Sequence, residues 1–164
     1  MAFRIGSTTF VHADGVTKLI PLEGQNANNP FLVRAVKSLD AQQNGKAISL
    51  QGQNIAPEAV AIASIEPSWK LGLDVMQVSI DLLEFAGSGA ARMHYEIVTV
   101  FQRPGLAAVT FICEDAVIEK GFSVTSEAGD APKDEFSGKM RRLLIRYRGK
   151  LYDPYTVPGG VALF

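Results

Sequence analysis

Apolar and polar residues alternate with a period of two along most of the chain, and one window departs from that rhythm. The segments MHYEIVTVF (93–101), AAVTFIC (107–113), VIEKGFSVTS (117–126) and GKMRRLLIRYR (138–148) are separated by turn residues at QRPG, CED and EAGDAPKDE, which predicts an antiparallel meander. Near the start, TTFVH and TKLIPL flank ADG and predict a small hairpin before the loop EGQNANNP. In DVMQVSIDLLEFAG the period lengthens: Val75, Val78, Leu82 and Phe85 fall on one helical face with Ile80 and Leu83 alongside. Asp74 is placed to cap this helix, Gln77 to complete a capping box and Gly87 to stop it. The expected fold is mainly β: an antiparallel β-sandwich or barrel with one flanking α-helix at about 74–86.

Between these parts lies FLVRAVKSLDAQQNGKAISLQGQ, two extended segments around Asn44-Gly45. Both central residues of a type I′ turn need positive φ, which Asn and Gly tolerate best, so the pattern predicts a β-hairpin arm over about 32–53 turning at that pair. A ribbon of this length is only marginally stable alone and calls for a partner. In NIAPEAVAIASIEPSWKLGLD the alanine-rich piece is compatible with a short helix, while Pro67 and the alternation through Trp69, Leu71 and Leu73 favour a strand.

At 164 residues with 47% apolar and 20% charged residues, the chain is expected to be one globular domain over 1–164, with a C-terminal extension at 151–164. Its net charge of −1 removes any global electrostatic drive towards nucleic acid or membrane. No apolar stretch approaches the ~18 residues of a membrane span and the first residues carry no cleavable leader pattern, so a protein made in a cytoplasm is expected. The single cysteine, Cys113, sits in an apolar run and reads as a buried small hydrophobe.

Candidate chemistry is sparse. His12 and His94 each fall in a predicted strand without a second metal ligand at a recognised spacing. Gly87-Ser88-Gly89 follows a helix and precedes a strand, the reverse of a phosphate-binding loop. The paired acids Glu114-Asp115 and Asp134-Glu135 fall in predicted turns and read as solvated. No catalytic residue, cofactor or metal is expected.

A basic strand has more to say. Arg141, Arg142, Arg146 and Arg148, with Lys139 and Lys150, directly follow a stretch with seven acids and two lysines between Glu114 and Glu135. Matched opposite charge suits ion pairing within a sheet or between copies better than phosphate binding.

Taken together, the opening strands, the polar hairpin, EPSWKLGLD leading into a helix ending FAGSG, MHYEIVTVFQRPG, and TFICEDAVIEKGFSVTSEAGDAPKDEFSGKMRRLLIRYRGK resemble the tail tube proteins of tailed bacteriophages and the inner tubes of related injection machines. The resemblance covers roughly 8–150 and is one of layout. It implies a small β-sandwich with a flanking helix, assembled as hexameric rings stacked into a tube that conducts double-stranded DNA without sequence-specific binding. The implied location is the virion tail, after synthesis in the host bacterial cytoplasm. The implied partners are other copies of the chain and tail proteins such as sheath, tape measure, terminator or baseplate, with no membrane. The arm would contact neighbouring subunits through Arg34, Lys37, Asp40, Gln42, Gln43, Asn44, Gly45, Lys46, Gln51 and Gln53. Another tail component on the same fold, or a small-ligand-binding β-barrel, is the alternative.

Overall fold

The computed structural model describes residues 10–50 and 59–155, and all of its strand pairings are antiparallel. In chain order they are β1 (Gly15–Pro21), β2 (Phe31–Leu32), β3 (Val36–Leu50), β4 (Ala59–Leu73), helix α1 (Gln77–Ala86), β5 (His94–Phe101), β6 (Val109–Val117), β7 (Asp134–Lys139), β8 (Arg142–Tyr147) and β9 (Lys150–Tyr152). They form a six-stranded sheet, β2-β1-β5-β6-β8-β9, and a three-stranded sheet, β3-β4-β7. The expected mainly β sandwich with one flanking helix is what the chain forms.

The core lies where the inner faces meet. Leu19, Tyr95, Ile97, Cys113 and Leu143 come from the larger sheet, Trp69, Leu71, Leu73 and Phe136 from the smaller, and Val78, Leu82 and Ala86 from α1. Tyr95 is fully buried and its hydroxyl donates to the Ala90 carbonyl at 2.6 Å. Burial, with a smaller contribution from Glu23, pushes that phenol up to about 12, and burial alone does the same to the Cys113 thiol. The Trp69 indole donates to the carbonyls of Val117 and Lys139, each at 3.2 Å. Asp134 is only 5% exposed yet fully engaged. Its carboxylate accepts from Ser79 Oγ at 2.6 Å, Ser123 Oγ at 3.0 Å, Ser123 N–H at 3.3 Å and Glu135 N–H at 2.7 Å. This node ties α1 and the 120s segment to β7.

Gly138 shows how tightly the sheets are joined. A methyl group there would run into the Val117 carbonyl, the same oxygen that accepts from Trp69. Because the obstacle is backbone, Gly138→Ala is expected to cost about 2 kcal/mol, the scale of overpacking a close-packed site. Chemical denaturation that leaves the midpoint unchanged would contradict the close approach.

Several sequence expectations fail locally, each for a physical reason. Asn44 and Gly45 do not turn; they run through β3 opposite Glu66 and Ile65, so the ribbon is β3 with β4 and not 32–53. Asn-Gly permits positive φ without requiring it. Here Gly45 is needed for space, because a Cβ would meet the Tyr155 ring at 3.0 Å, and Asn44 donates along the strand to Gln42 at 3.1 Å. The connection between the two strands, including Gln51 and Gln53, lies outside the described residues. From Ala59 onward the alanine-rich piece is strand.

Asp74 caps nothing: the helix starts at Gln77 with Met76 before it and no side-chain cap, and Gln77, as first helical residue, completes no capping box but donates to Asp81. Val75, Ile80 and Leu83 are exposed. Ser79 and Ala86 join Val78 and Leu82 on the buried face. Gly87 does end the helix, with φ of 88°. No strand precedes β1 among the described residues; Phe10 and Val11 are irregular and His12–Asp14 form a 3-10 turn, while Thr8 and Thr9 lie outside them. The segment 118–133 forms no strand; its β-type pairing consists of two isolated bridges, Lys120 to Ser137 and Thr125 to Lys133. The meander is therefore split between the sheets, and Glu114-Asp115 and Asp134-Glu135 lie in β6 and β7 instead of turns.

Candidate assembly surface

The β3–β4 ribbon is the outstanding surface element, and its two halves differ. Close to the sandwich, β7 pairs with β4 from Ser68 to Leu73, so Leu39, Leu71 and Phe136 form one inward row across three strands. Beyond that, residues 44–50 and 59–66 pair only with each other among the described residues. Pro67 marks the boundary. Its carbonyl accepts from Met140 at 3.4 Å, and its missing N–H falls just past Lys139, the last β7 residue paired with β4, so no ladder bond is lost.

One face of the free half continues the inward row through Gly45, Ala47, Ile62 and Ile65; Tyr155 lies against Gly45, and no sheet of described residues opposes the rest. Ile62 is accordingly 55% exposed. A register shift between Lys46 and Ala47 gives β4 one extra residue, Ala63, and this bulge keeps Ile62 on the inward row. The opposite face of the small sheet is polar nearer the sandwich, with Ser38, Asp40, Gln42 and Asn44 on β3, Glu66, Ser68 and Lys70 on β4, and Glu135, Ser137 and Lys139 on β7; further out, Ile48 lies on it, 43% exposed. Lys70 and Lys120 both pair with Glu135, at 3.4 and 3.7 Å.

The ribbon is held at its root from two sides. Gln43 reaches across the corner between the sheets, its Oε1 accepting from Leu143 N–H at 2.7 Å. After β9 the chain crosses to the ribbon: Tyr155 N–H donates to Asp153 Oδ1 at 3.0 Å, and the Gly45 N–H donates to the Tyr155 hydroxyl at 3.2 Å. Asp153 in turn lies 3.5 Å from Arg142, which also forms a side-chain pair with Glu114. The hydrogen bond to Glu114 is the main cause holding the Arg142 guanidinium above the usual arginine range.

The residues singled out in the sequence are thus dispersed. Arg34 is exposed between β2 and β3; Lys37, Asp40, Gln42, Asn44 and Lys46 are exposed on β3; Gln43 and Gly45 are half-buried at its root. Arg141 lies 3.8 Å from Glu114. Arg146 makes no ion pair with a described residue, and Arg148, at φ of 50° outside β8, stacks over the Tyr147 ring at 5.1 Å. The β4 half of the ribbon and the Asp153-Tyr155 strap went unnoticed in the sequence. The alternation in IASIEPSWKLGL was the available signal for the former, and nothing local signals the latter.

Beside β9 lies an apolar cleft of about 530 Å³, lined by Phe10, Leu106, Val109, Ile145, Tyr147 and Tyr152 among others. Val109, Ile145 and Tyr147 belong to the same face of the large sheet as the core residues Cys113 and Leu143, so the cleft is that inner face left bare. Among the described residues no group of His, Cys, Asp and Glu is arranged to hold a metal ion. No described helix is long and apolar enough to cross a membrane.

No protein-family model and no curated protein matches the chain. Solved structures do. A chain of an extracellular contractile injection system, the PVC sheath-tube complex in its extended state, is similar at TM-score 0.60 and 10% identity, over 87% of this chain and 94% of that one. A chain of the anti-feeding prophage baseplate, six-fold symmetrised, is similar at TM-score 0.51 and 13% identity, over 89% and 95%. The fold is therefore one found in subunits of contractile injection machines.

Proposed function

We propose that the chain is a structural subunit that self-assembles into stacked rings, hexameric as the tail tube resemblance implies, to form the inner tube of a phage tail or related machine through which double-stranded DNA passes. The free half of the ribbon carries this reading. It offers strand edges that no described residue pairs and an apolar face that, among the described residues, faces no opposing sheet, a combination that invites aggregation unless neighbouring copies occupy it. The polar face of the small sheet suits a wet channel wall: its lysines are interleaved with acids and amides, and a wall without a cationic excess does not hold phosphates by counterion release. Sheath, tape measure, terminator or baseplate proteins are the expected further partners, and the virion tail the expected location.

The test is sedimentation of the purified protein across a concentration series, with negative-stain electron microscopy of the same samples. Rings or tubes are expected at high concentration or with a nucleating tail component. A strict monomer under all these conditions would falsify the proposal. The likeness to a baseplate chain favours a second reading, a tube initiator or hub on the same fold; copy number in the particle separates the two, a single ring marking the initiator and many rings the tube.

A further inference from the structure

Among the described residues the two sheets are out of step, and each leaves open what the other would cover. The small sheet overshoots the sandwich as the ribbon, with Ala47, Ile62 and Ile65 continuing its inward row. Among the described residues the large sheet leaves its own inward row open at Val109, Ile145 and Tyr147, where Phe10, Leu106 and Tyr152 also line the cleft. We infer that the apolar face of the ribbon of one copy seats in this cleft of the next copy, so that the sandwich closes between subunits. The inference rests on the self-assembly reading and names the receiving surface.

Two observations favour a second copy as the occupant. Both surfaces are inner faces of the same sandwich, and one sheet face packing on the other at about 10 Å is the geometry this fold already uses within the chain. The cleft is lined by aromatic and aliphatic side chains, the composition of an interface centre. An apolar surface on one part of a subunit that fits a different surface on the next is a head-to-tail contact, the kind that builds rings and filaments instead of closed pairs.

The experiment mixes two full-length variants, Ile62→Cys and Tyr152→Cys, under assembly conditions with a mild oxidant. Both positions are exposed, at 55% and 49%, so neither substitution opens the core, and the buried Cys113 does not compete. Covalent dimers are expected in the mixture, several-fold more than in either variant alone, and are expected to vanish below the assembly concentration. Assembly seen by sedimentation without cross-linking in the mixture overturns this contact and leaves the self-assembly reading intact. Equal cross-linking in Ile62→Cys alone overturns it too, because that marks a symmetric ribbon-to-ribbon contact. Absence of any assembly in the unmodified protein sinks both readings together.

Discussion

Replacing residues 47–63 by an Asn-Gly turn is expected to leave a folded protein that no longer assembles. Lys46 and Ser64 face each other across the ribbon, so a two-residue turn can join them without disturbing anything nearer the sandwich. The retained part keeps Gly45 for the Tyr155 hydroxyl, Gln43 for the corner and every β4–β7 pair. Thermal melting should therefore move by a few degrees at most. Assembly should fail because the excised surface belongs to the contact between copies: losing about 3 kcal/mol at each contact raises the required concentration roughly a hundredfold. If the shortened protein unfolds, the ribbon is core sheet. If it builds ordinary tubes, the ribbon is dispensable, and either result removes the basis of the proposed function.

Asp134→Ala is expected to be the most damaging single substitution to the fold itself. It strips the acceptor from Ser79 Oγ, Ser123 Oγ and two backbone N–H groups in a site almost closed to water. Leaving buried donors unsatisfied costs the full desolvation of each, and for a hydrogen-bonded charge the loss is of order 3 kcal/mol or more. For a chain of this size that is a fall in Tm of roughly 6–12 °C. Asp134→Asn keeps one acceptor oxygen and should recover a good part of the loss. A scan in which Ala and Asn melt alike would show that the node contributes volume and not hydrogen bonding.

What could be read from the sequence follows from how local each signal is. The mainly β class, the single helix and its stop at Gly87 rest on period and on one positive φ, both short-range, and all three hold in the structure. The long polar ribbon was legible as an element while its course was not. Asn44-Gly45 carries a strong turn signal that the chain overrides, because Gly45 serves a contact with Tyr155, 110 residues away in sequence. The same distance hides the strap that runs from Arg142 through Asp153 to that tyrosine. The division of the strands between two sheets was likewise invisible, since β7 looks like its neighbours in alternation and is assigned to the small sheet only by its register with β4. Charge at Glu114-Asp115 suggests a turn, whereas β6, paired on both sides, accommodates the two acids because Glu114 faces Arg142 and Asp115 pairs with His94.

The extra residue at Ala63 acts as the pivot of a lever. Bulges bend and twist the strand that carries them, and this one lies where the ribbon has already left its supports at Gln43 and Tyr155. With ~3.3 Å per residue, the described end of β3 at Leu50 stands roughly 10 Å beyond the pivot, and a change of ten degrees there swings it by about 2 Å, while the core feels nothing. In a stack built from many copies, such a shift would repeat at every subunit and accumulate as rotation along the axis. Insertions and deletions at Ala63 are therefore the changes through which the pitch of an assembled filament would drift while each subunit's melting temperature stayed the same.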